Sequence, residues 1–212
     1  INHNGNVERA IEMVRAAKNA DVSAIKFQTF KADEFISDSS LTYTYTSQGK
    51  SITESQLDLF KRCELSNDDF YKIKKTCDEE KIIFLSTPQN KSDLDFLLEL
   101  EISAIKVGSD DFTNIPLLKS YSSTNLPIMI SCGMGTLEEI KISLDAIGKF
   151  DGYPTALLLT TSEYPTPPQN VNLRKLLTLS KNFPDIPLGY SDHTQSNLTS
   201  SIAVSFGACI FE

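Results

Sequence analysis

Residues 127–146 read PIMISCGMGTLEEIKISLDA, and this stretch decides the fold class. Its first part, Pro127–Ser131, is a short apolar run with the length of a buried strand. Two glycines follow, and then Thr136 and Glu139 stand at the spacing of a helix capping box. The stretch therefore predicts a buried strand that leads through a short turn into an amphipathic helix.

The same pattern recurs along the chain. Asn6 precedes a helical repeat of apolar residues, and Ser66 with Asp69 and Ser92 with Asp95 repeat the capping-box spacing. Strand and helix alternate every 20 to 30 residues or so, roughly the length of one βα unit in parallel α/β folds. The predicted buried strands are Ala24–Gln28, Ile82–Ser86, Ala104–Val107, Pro127–Ser131, Ala156–Thr160, Pro187–Tyr190 and Ala208–Phe211.

An eighth strand would complete a TIM barrel. We interpret Ile1–Gly5 as the tail of a strand whose body precedes the chain, and eight βα units then fit a barrel of about 250 residues. An open doubly wound sheet is the alternative, although Asn2–Asn6 lacks the G-x-G-x-x-G turn of a dinucleotide-binding fold. No composition break indicates a linker. We therefore expect an α/β fold, a TIM (β/α)8 barrel truncated at both ends, with residues 1–212 forming a single incomplete domain.

One segment, Lys31–Leu65, departs from this alternation. It is long, rich in serine and threonine, and contains the run Thr42–Ser47. Long insertions at the carboxyl ends of strands often carry binding loops in such folds. A binding loop and a surface excursion without function are both open interpretations.

Charge and composition exclude several classes of partner. Lys plus Arg is 20 and Asp plus Glu is 28, so the net charge is -8, and such a chain repels nucleic acid and anionic membranes. Its apolar runs are far shorter than the ~20 residues of a membrane helix. We therefore expect no nucleic-acid and no membrane partner. Cys63, Cys77, Cys132 and Cys209 form no C-x-x-C pair, which predicts reduced thiols and a cytoplasmic location.

Two lysines stand where packing alone would not place them. Lys26 and Lys106 each lie within an Ala-Ile-Lys tripeptide inside a predicted core strand, and lysine is rarely buried without an anionic partner. A structural salt bridge, or a side chain that extends to solvent at the rim of the sheet, would explain each of them. The functional interpretations are a lysine pair that binds a phosphate or carboxylate, or one desolvated lysine that acts as a Schiff-base nucleophile.

Hydroxyl side chains accumulate where the predicted strands end. Gly133 and Gly135 precede the helix that begins near Thr136, and we expect them to present backbone N–H groups at that helix N-terminus, which would suit an anion. Together with the lysines, these groups predict a phosphorylated or carboxylated ligand. The hydroxyl residues are Ser86, Thr87, Ser109, Ser131, Thr160, Thr161, Ser162 and Ser191.

The segment Tyr190–Thr194 contains one of the two histidines, His193. Ser191, Asp192 and His193 are consecutive, and consecutive residues of a strand alternate between its two faces. The three side chains therefore do not all converge on one substrate atom, as those of a Ser-His-Asp triad do. Metal ligation or a base role for His193 is the functional interpretation, and a histidine held by a backbone carbonyl is the alternative. The other histidine, His3, is similarly placed at the end of the proposed first strand, and the alternative to a functional role there is that it only fixes a loop.

These motifs resemble one family along essentially the whole chain, the sialic acid synthases, which make nonulosonic acids such as N-acetylneuraminate, legionaminate and pseudaminate. The motifs stand in the family's order, one at each predicted strand end. They are Ile1–Gly5, Lys26–Phe30, Leu85–Pro88, Lys106–Ser109 with Thr113-Asn114, Ser131–Met134, Thr161–Pro165 and Gly189–Thr194.

The resemblance implies a transferase with a TIM barrel that condenses phosphoenolpyruvate with N-acetylmannosamine or a related 2-acetamido hexose, releasing phosphate with the help of Mn²⁺ or Mg²⁺. It assigns Gln28 and Tyr164 to the sugar, His193 to the metal, and Asp111 to the catalytic carboxylate. It also implies a homodimer, because in the family a C-terminal antifreeze-like domain lends an arginine to the partner subunit. The residues that match phosphoenolpyruvate ligands are Lys26, Thr87, Lys106, Ser109, Ser131 and Ser191.

The chain departs from the family pattern at several positions. The usual Ser-Gly-Glu is Ser109–Asp111 here, so the acid is one methylene shorter. Leu159-Thr160 replaces a common His-Cys pair, and Gln89 replaces an aromatic residue. The family's first-strand glutamate would precede Ile1, and its second metal histidine and the antifreeze-like domain would follow Glu212. We therefore expect the isolated chain to be inactive.

Two other hypotheses compete with the synthase. One is a class I aldolase that uses Lys26 or Lys106 as an imine, and the other is an inactive binding or assembly fragment. The sequence does not choose among the acetamido sugars or between the metals.

Overall fold

The structure is a computed structural model that describes residues 2–47 and 49–212. Its contacts divide the chain into two compact units, Ile1–Ser103 and Ala104–Glu212. Ile1, the first residue of the predicted strand tail, lies outside the described residues. The following residues, 2–5, form a turn directly before the first helix.

The first unit contains one pair of parallel strands. β1 and β4 pair with Ala24 opposite Ile83 and Thr29 opposite Pro88, while β2 and β3 form an antiparallel hairpin. The elements of this unit are α1 (Val7–Asn19), β1 (Ala24–Thr29), α2 (Ala32–Phe35), β2 (Thr42–Ser47), β3 (Lys50–Ser55), α3 (Gln56–Cys63), α4 (Asn67–Glu80), β4 (Ile83–Pro88) and α5 (Lys91–Glu99).

Local capping explains where two of these helices begin. The Asn6 side chain accepts a hydrogen bond from the backbone N–H of Arg9 at 2.7 Å, and α1 turns Ala10 and Val14 into the core. α4 begins behind Ser66, whose capping box is complete.

The predicted Ser92 cap is wrong. α5 already begins at Lys91, because the side chain of Asn90 accepts a hydrogen bond from the backbone N–H of Asp93 at 3.0 Å. The Ser92 hydroxyl lies within the helix and donates to Asn90 Oδ1 at 2.6 Å.

The segment Lys31–Leu65 has secondary structure of its own. It contains α2, the β2–β3 hairpin and α3, and the hairpin is joined to α3 by Arg62, which donates two hydrogen bonds to Glu54 at 2.7 and 2.8 Å. The Tyr45 hydroxyl donates to the same carboxylate at 2.6 Å. The segment therefore forms a folded insertion between β1 and α4.

The second unit is a parallel sheet of strand order β5-β6-β7-β8-β9. All of β7 is buried, as expected for a parallel strand covered on both faces. The elements are β5 (Ile105–Val107), α6 (Ile115–Ser122), β6 (Ile128–Ser131), α7 (Leu137–Ala146), a 3₁₀ turn (Lys149–Asp151), β7 (Thr155–Thr160), a second 3₁₀ turn (Pro168–Asn170), α8 (Lys175–Asn182), β8 (Leu188–Ser191), α9 (Leu198–Ser205) and β9 (Ile210–Phe211).

This sheet is strongly curved. β5 and β9 are its two edges, and in a flat sheet four strand spacings would separate them by about 19 Å. Nevertheless Lys106 Nζ on β5 lies 3.1 Å from Glu212 Oε2, directly after β9. The two edges therefore bend toward each other on the face that carries Lys106, as in the wall of a barrel.

The four cysteines are all thiols, and Cys63, Cys77 and Cys132 are buried whereas Cys209 is exposed. Within residues 2–47 and 49–212, no helix is both long and apolar enough to span a membrane.

Candidate active site

Three of the predicted ligand-binding residues lie on one face of the strand pair of the first unit. Lys26 and Gln28 are two residues apart on β1, so they share a face, and Thr87 on β4 lies directly opposite Gln28. Thr87 is buried, whereas Lys26 and Gln28 are half-buried. Lys26 is therefore not fully buried, which agrees with the interpretation that its side chain reaches solvent.

The opposite face of the same strands holds them together. Phe27 stacks on Phe84 with ring centroids 5.9 Å apart, and the hydroxyls of Thr29 and Ser86 are hydrogen-bonded at 2.7 Å. Ser86, one of the predicted strand-end hydroxyls, is thus used in packing.

His3 has a structural role in this unit. Its Nδ1 accepts a hydrogen bond from the Gly5 backbone N–H at 3.1 Å, and its ring lies against Phe27. Burial lowers the pKa of His3 to about 4. A neutral imidazole that accepts from the backbone fixes this turn, in agreement with the loop interpretation.

The second unit brings Lys106 to Ser131, as the sequence predicted. Lys106 is 4% exposed, and its ammonium donates to Ser131 Oγ at 2.8 Å and to the Val107 carbonyl at 3.2 Å. It also forms an ion pair with Glu212 at 3.1 Å. Buried charge requires such neutralisation, so the anionic partner expected from the sequence is present in the protein itself.

Ser109 and the glycine turn form a second contact of this unit. The Gly133 backbone N–H donates to Ser109 Oγ at 2.9 Å, so this N–H is already paired, and the prediction that Gly133 presents it to an anion is wrong. A Cβ at Gly133 would come within 2.6 Å of Ser162 Oγ and 2.8 Å of a Thr160 methyl group. Glycine is required here because backbone and side chains approach closely.

Ser191, His193 and Tyr164 form a third contact. His193 Nε2 lies 3.3 Å from Ser191 Oγ, and the Tyr164 ring stacks on the imidazole with centroids 4.1 Å apart. Tyr164 itself is 77% exposed, so it covers the imidazole from the solvent side.

Asp192 points elsewhere, as the alternation of strand faces predicted. Its carboxylate accepts hydrogen bonds from Thr199 Oγ1 at 2.6 Å, Ser200 Oγ at 2.8 Å and the Thr194 backbone N–H at 2.9 Å. Burial alone would raise the pKa of Asp192, but these hydrogen bonds outweigh it and the pKa is lowered. Asp192 therefore ties the segment that carries His193 to the first turn of α9.

The orientation of His193 suits one position in a metal site. Its Nδ1 lies 2.7 Å from the Thr161 carbonyl oxygen, an acceptor that places the ring proton on Nδ1 and leaves the Nε2 lone pair for a ligand. Within residues 2–47 and 49–212, no group of three or more His, Cys, Asp or Glu side chains could hold a metal ion. His193 fits as one ligand of a site that needs others.

Asp111 lies in the turn between β5 and α6. Asn114 Nδ2 donates to Asp111 Oδ1 at 3.2 Å. Burial raises the pKa of Asp111, and the neighbouring charge of Asp110 adds to the effect. A half-buried carboxyl of raised pKa is suited to proton transfer.

Sequence reasoning missed two carboxylates of the second unit, Glu212 and Asp192. From the sequence, Asp192 was considered only as a member of a Ser-His-Asp triad, and the alternation of strand faces argued against that triad. Glu212 was considered only as the last residue, although an acidic residue directly after an apolar strand is a recognisable signal. The pairing of Glu212 with Lys106 could not be predicted from the positions of the two residues along the chain.

Comparison with known proteins identifies the fold and the family. A solved sialic acid synthetase of Leptospira borgpetersenii, in complex with citrate, superimposes with a TM-score of 0.87 at 28% identity and covers 100% of this chain and 68% of that one. N,N'-diacetyllegionaminic acid synthase of Legionella pneumophila is 37% identical, and N-acetylneuraminate-9-phosphate synthase of Drosophila melanogaster is 33% identical. Each alignment covers all of this chain but only 60% and 56% of those proteins.

The chain thus has an α/β fold of the TIM-barrel type, the fold class predicted from the sequence. The NeuB family model matches residues 13–212, and the chain belongs to the NeuB family. Named relatives include synthases of legionaminic acid and N-acetylneuraminate 9-phosphate, so the resemblance to sialic acid synthases is confirmed. The chain spans about three fifths of the length of these curated relatives.

Proposed function

We propose that this chain is the catalytic part of a synthase that condenses phosphoenolpyruvate with N-acetylmannosamine or a related 2-acetamido hexose, giving a nonulosonic acid and phosphate. The observation that carries the proposal is the buried Lys106 ammonium at a strand end, 2.8 Å from Ser131 Oγ, in a chain of the NeuB family. A buried cation beside a hydroxyl is suited to an anionic substrate.

The family resemblance assigns phosphoenolpyruvate ligands among the groups that follow or end the strands. In the first unit these are Lys26 and Thr87, and the neighbouring Gln28 is assigned to the sugar. In the second unit Tyr164 is assigned to the sugar, and its exposed ring can pack against an apolar sugar face. The second unit's ligands for phosphoenolpyruvate are Lys106, Ser109, Ser131 and Ser191.

The reaction begins with attack of phosphoenolpyruvate C3 on the sugar aldehyde. Polarisation of that aldehyde is the chemistry that Mn²⁺ or Mg²⁺ would supply when bound at His193. The new C–C bond leaves positive charge at C2, and the aldehyde oxygen takes up a proton to become a hydroxyl.

Water then adds to C2, and the C–O bond to phosphate breaks. Asp111 accepts the proton of the attacking water, because a carboxylate of raised pKa is a stronger base than an ordinary one. Lys106 and Lys26 stabilise the phosphate dianion as it leaves. The sum of the steps is phosphoenolpyruvate plus sugar plus water giving the nonulosonic acid plus phosphate.

The class I aldolase is the weaker candidate. A Schiff-base nucleophile must be an unprotonated amine, whereas the contacts of Lys106 with Ser131 and Glu212 suit the ammonium form. We further propose a cytoplasmic homodimer. The four unpaired thiols support a reducing compartment, and the resemblance supports the dimer.

The test is an assay of the intact protein with phosphoenolpyruvate, Mn²⁺ or Mg²⁺, and a panel of N-acetylated hexoses. We expect release of one phosphate for each nonulosonic acid detected by mass spectrometry with at least one sugar. Pyruvate with borohydride should leave no covalent adduct on Lys26 or Lys106. An adduct, or phosphate release that does not depend on the sugar, would contradict the proposal.

A further inference from the structure

Glu212 is a carboxylate of the second unit to which the proposed reaction gives no role. Its backbone N–H donates to the Tyr190 carbonyl at 3.1 Å, and its carbonyl accepts from the Asp192 N–H at 2.9 Å. These two hydrogen bonds extend the ladder between β8 and β9, so the position of the Glu212 backbone is set by the sheet.

The side chain of Glu212 closes over Lys106. Glu212 Oε2 lies 3.1 Å from Lys106 Nζ, and the Lys106 side chain is 5% exposed whereas that of Glu212 is 26% exposed. The carboxylate is therefore the part of this ion pair that borders solvent. An anion that is to reach the Lys106 ammonium has to replace Glu212 on it.

In an ion pair arranged in this way, an anionic ligand can replace Glu212 as the counterion of Lys106. Because Glu212 is partly hydrated, it can leave Lys106 at a smaller cost than a fully buried carboxylate could. Its negative charge remains a few ångströms from any anion bound to Lys106. Repulsion by one charge at about 4 Å would be worth roughly 1000-fold in an equilibrium constant at an effective dielectric of about 20. Displacement and hydration of the Glu212 carboxylate reduce this effect, so we expect at least about tenfold.

We propose that Glu212 is a positioning residue that neutralises Lys106 in the unliganded enzyme, yields it to the phosphate group of phosphoenolpyruvate, and returns to it as product phosphate leaves. This inference rests on the proposed function. Glu212 thereby keeps the buried ammonium in place without a ligand and weakens the hold of the site on phosphate. Since phosphate is a product, weaker retention favours turnover.

The test compares the intact protein with its Glu212→Gln variant, which keeps the shape of the side chain and removes its charge. Inorganic phosphate and phosphoenolpyruvate are titrated separately by calorimetry, and product inhibition by phosphate is measured in the assay. We expect Glu212→Gln to bind phosphate at least about tenfold more tightly and to be inhibited by it at a concentration at least about tenfold lower. The matched control, Glu54→Gln, removes the carboxylate that pairs with Arg62 in the first unit and should leave phosphate affinity unchanged.

Unchanged or weaker phosphate binding by folded Glu212→Gln would overturn the inference, because a permanently closed structural ion pair predicts that result. If the glutamine variant does not fold, Glu212→Asp retracts the charge by one methylene and should tighten phosphate binding in the same direction. Adding Lys106→Met should abolish the tightening. If Glu212→Gln binds phosphate more tightly but the intact protein does not condense phosphoenolpyruvate with any sugar, only the proposed function is refuted. If the intact protein carries out the condensation but Glu212→Gln does not bind phosphate more tightly, only the role of Glu212 is refuted. If the intact wild-type protein binds neither anion, both are wrong.

Discussion

Replacing Lys106 by methionine should separate function from stability. The substitution removes the ammonium, which lies 2.8 Å from Ser131 Oγ and 3.1 Å from Glu212 Oε2, and keeps a side chain of similar length. An ammonium about 4 Å from one negative charge is worth about 4 kcal/mol at an effective dielectric of about 20, which is roughly 1000-fold in affinity. Competition from Glu212 reduces that figure. We expect phosphoenolpyruvate to bind at least about 100-fold more weakly.

The stability of the same variant should change little. Methionine removes the desolvation penalty of a side chain that is 5% exposed, and the remaining Glu212 side chain is 26% exposed and can be hydrated. These effects oppose each other, so the free energy of unfolding should stay within about 1 kcal/mol of the wild-type value. The control is Lys91→Met on α5, whose side chain is 68% exposed and pairs with Asp95, and which should alter neither quantity.

Both quantities are measured on the intact protein, affinity by calorimetric titration and stability by thermal unfolding. Binding of phosphoenolpyruvate to folded Lys106→Met within about threefold of wild type would refute the reasoning, since no electrostatic contact of this kind is worth so little. A large loss of stability with unchanged affinity would show instead that the ion pair is purely structural.

Three further predictions concern stability. Thr136→Ala removes the cap of α7 and should cost about 1 kcal/mol of stability, which lowers the melting temperature by roughly 2–4 °C. The control, Ser120→Ala at an exposed helix site, should leave the melting temperature unchanged. Equal melting temperatures of the two variants would contradict the prediction. Burial raises the pKa of Asp93 to about 6, so the folded state pays for its charge increasingly as pH rises from about 4 to 6. Asp93→Asn should therefore stabilise the protein by about 3 kcal/mol at pH 7.5 and by nothing near pH 4, and a pH-independent difference in denaturant unfolding would argue against it. Gly135→Ala would drive a Cβ into the buried Phe112 ring and should cost about 1–3 kcal/mol in the same measurement, so a neutral effect would mean that the ring can move.

The strands and most helix starts could be predicted because their signals are local. β7 is a run of buried residues, and Thr136 with Glu139 forms the capping box that its spacing predicts. The prediction at Ser92 failed because Asn90, two residues earlier, is an equally good cap and starts the helix two residues sooner than the spacing implied. Local rules identified the kind of element here and misplaced its boundary.

The candidate site was predictable in part for the same reason. Parallel strands end at one edge of their sheet, so the residues that follow apolar runs, such as Thr87 and Ser131, were expected at that edge. How deeply the side chains of Lys26 and Lys106 are buried could not be predicted, because both lysines lie in the same Ala-Ile-Lys tripeptide. Lys26 is half-buried and Lys106 is 4% exposed, because burial depends on what other elements pack over each strand.

By itself, the sequence determined the strand–helix alternation, the capped helix starts, the hydroxyls and lysines at strand ends, and the motifs that mark the family. Only the tertiary structure decided which of these groups touch. Gly133 gives its N–H to Ser109 across 24 positions, His193 turns its Nδ1 to the Thr161 carbonyl across 32, and Lys106 finds its counterion in Glu212 at the far edge of the sheet. Spacing along the chain encodes what lies within a turn of helix or a pair of strand residues. The first two contacts exist because neighbouring strands bring distant segments side by side, and the third exists because the five-stranded sheet curves.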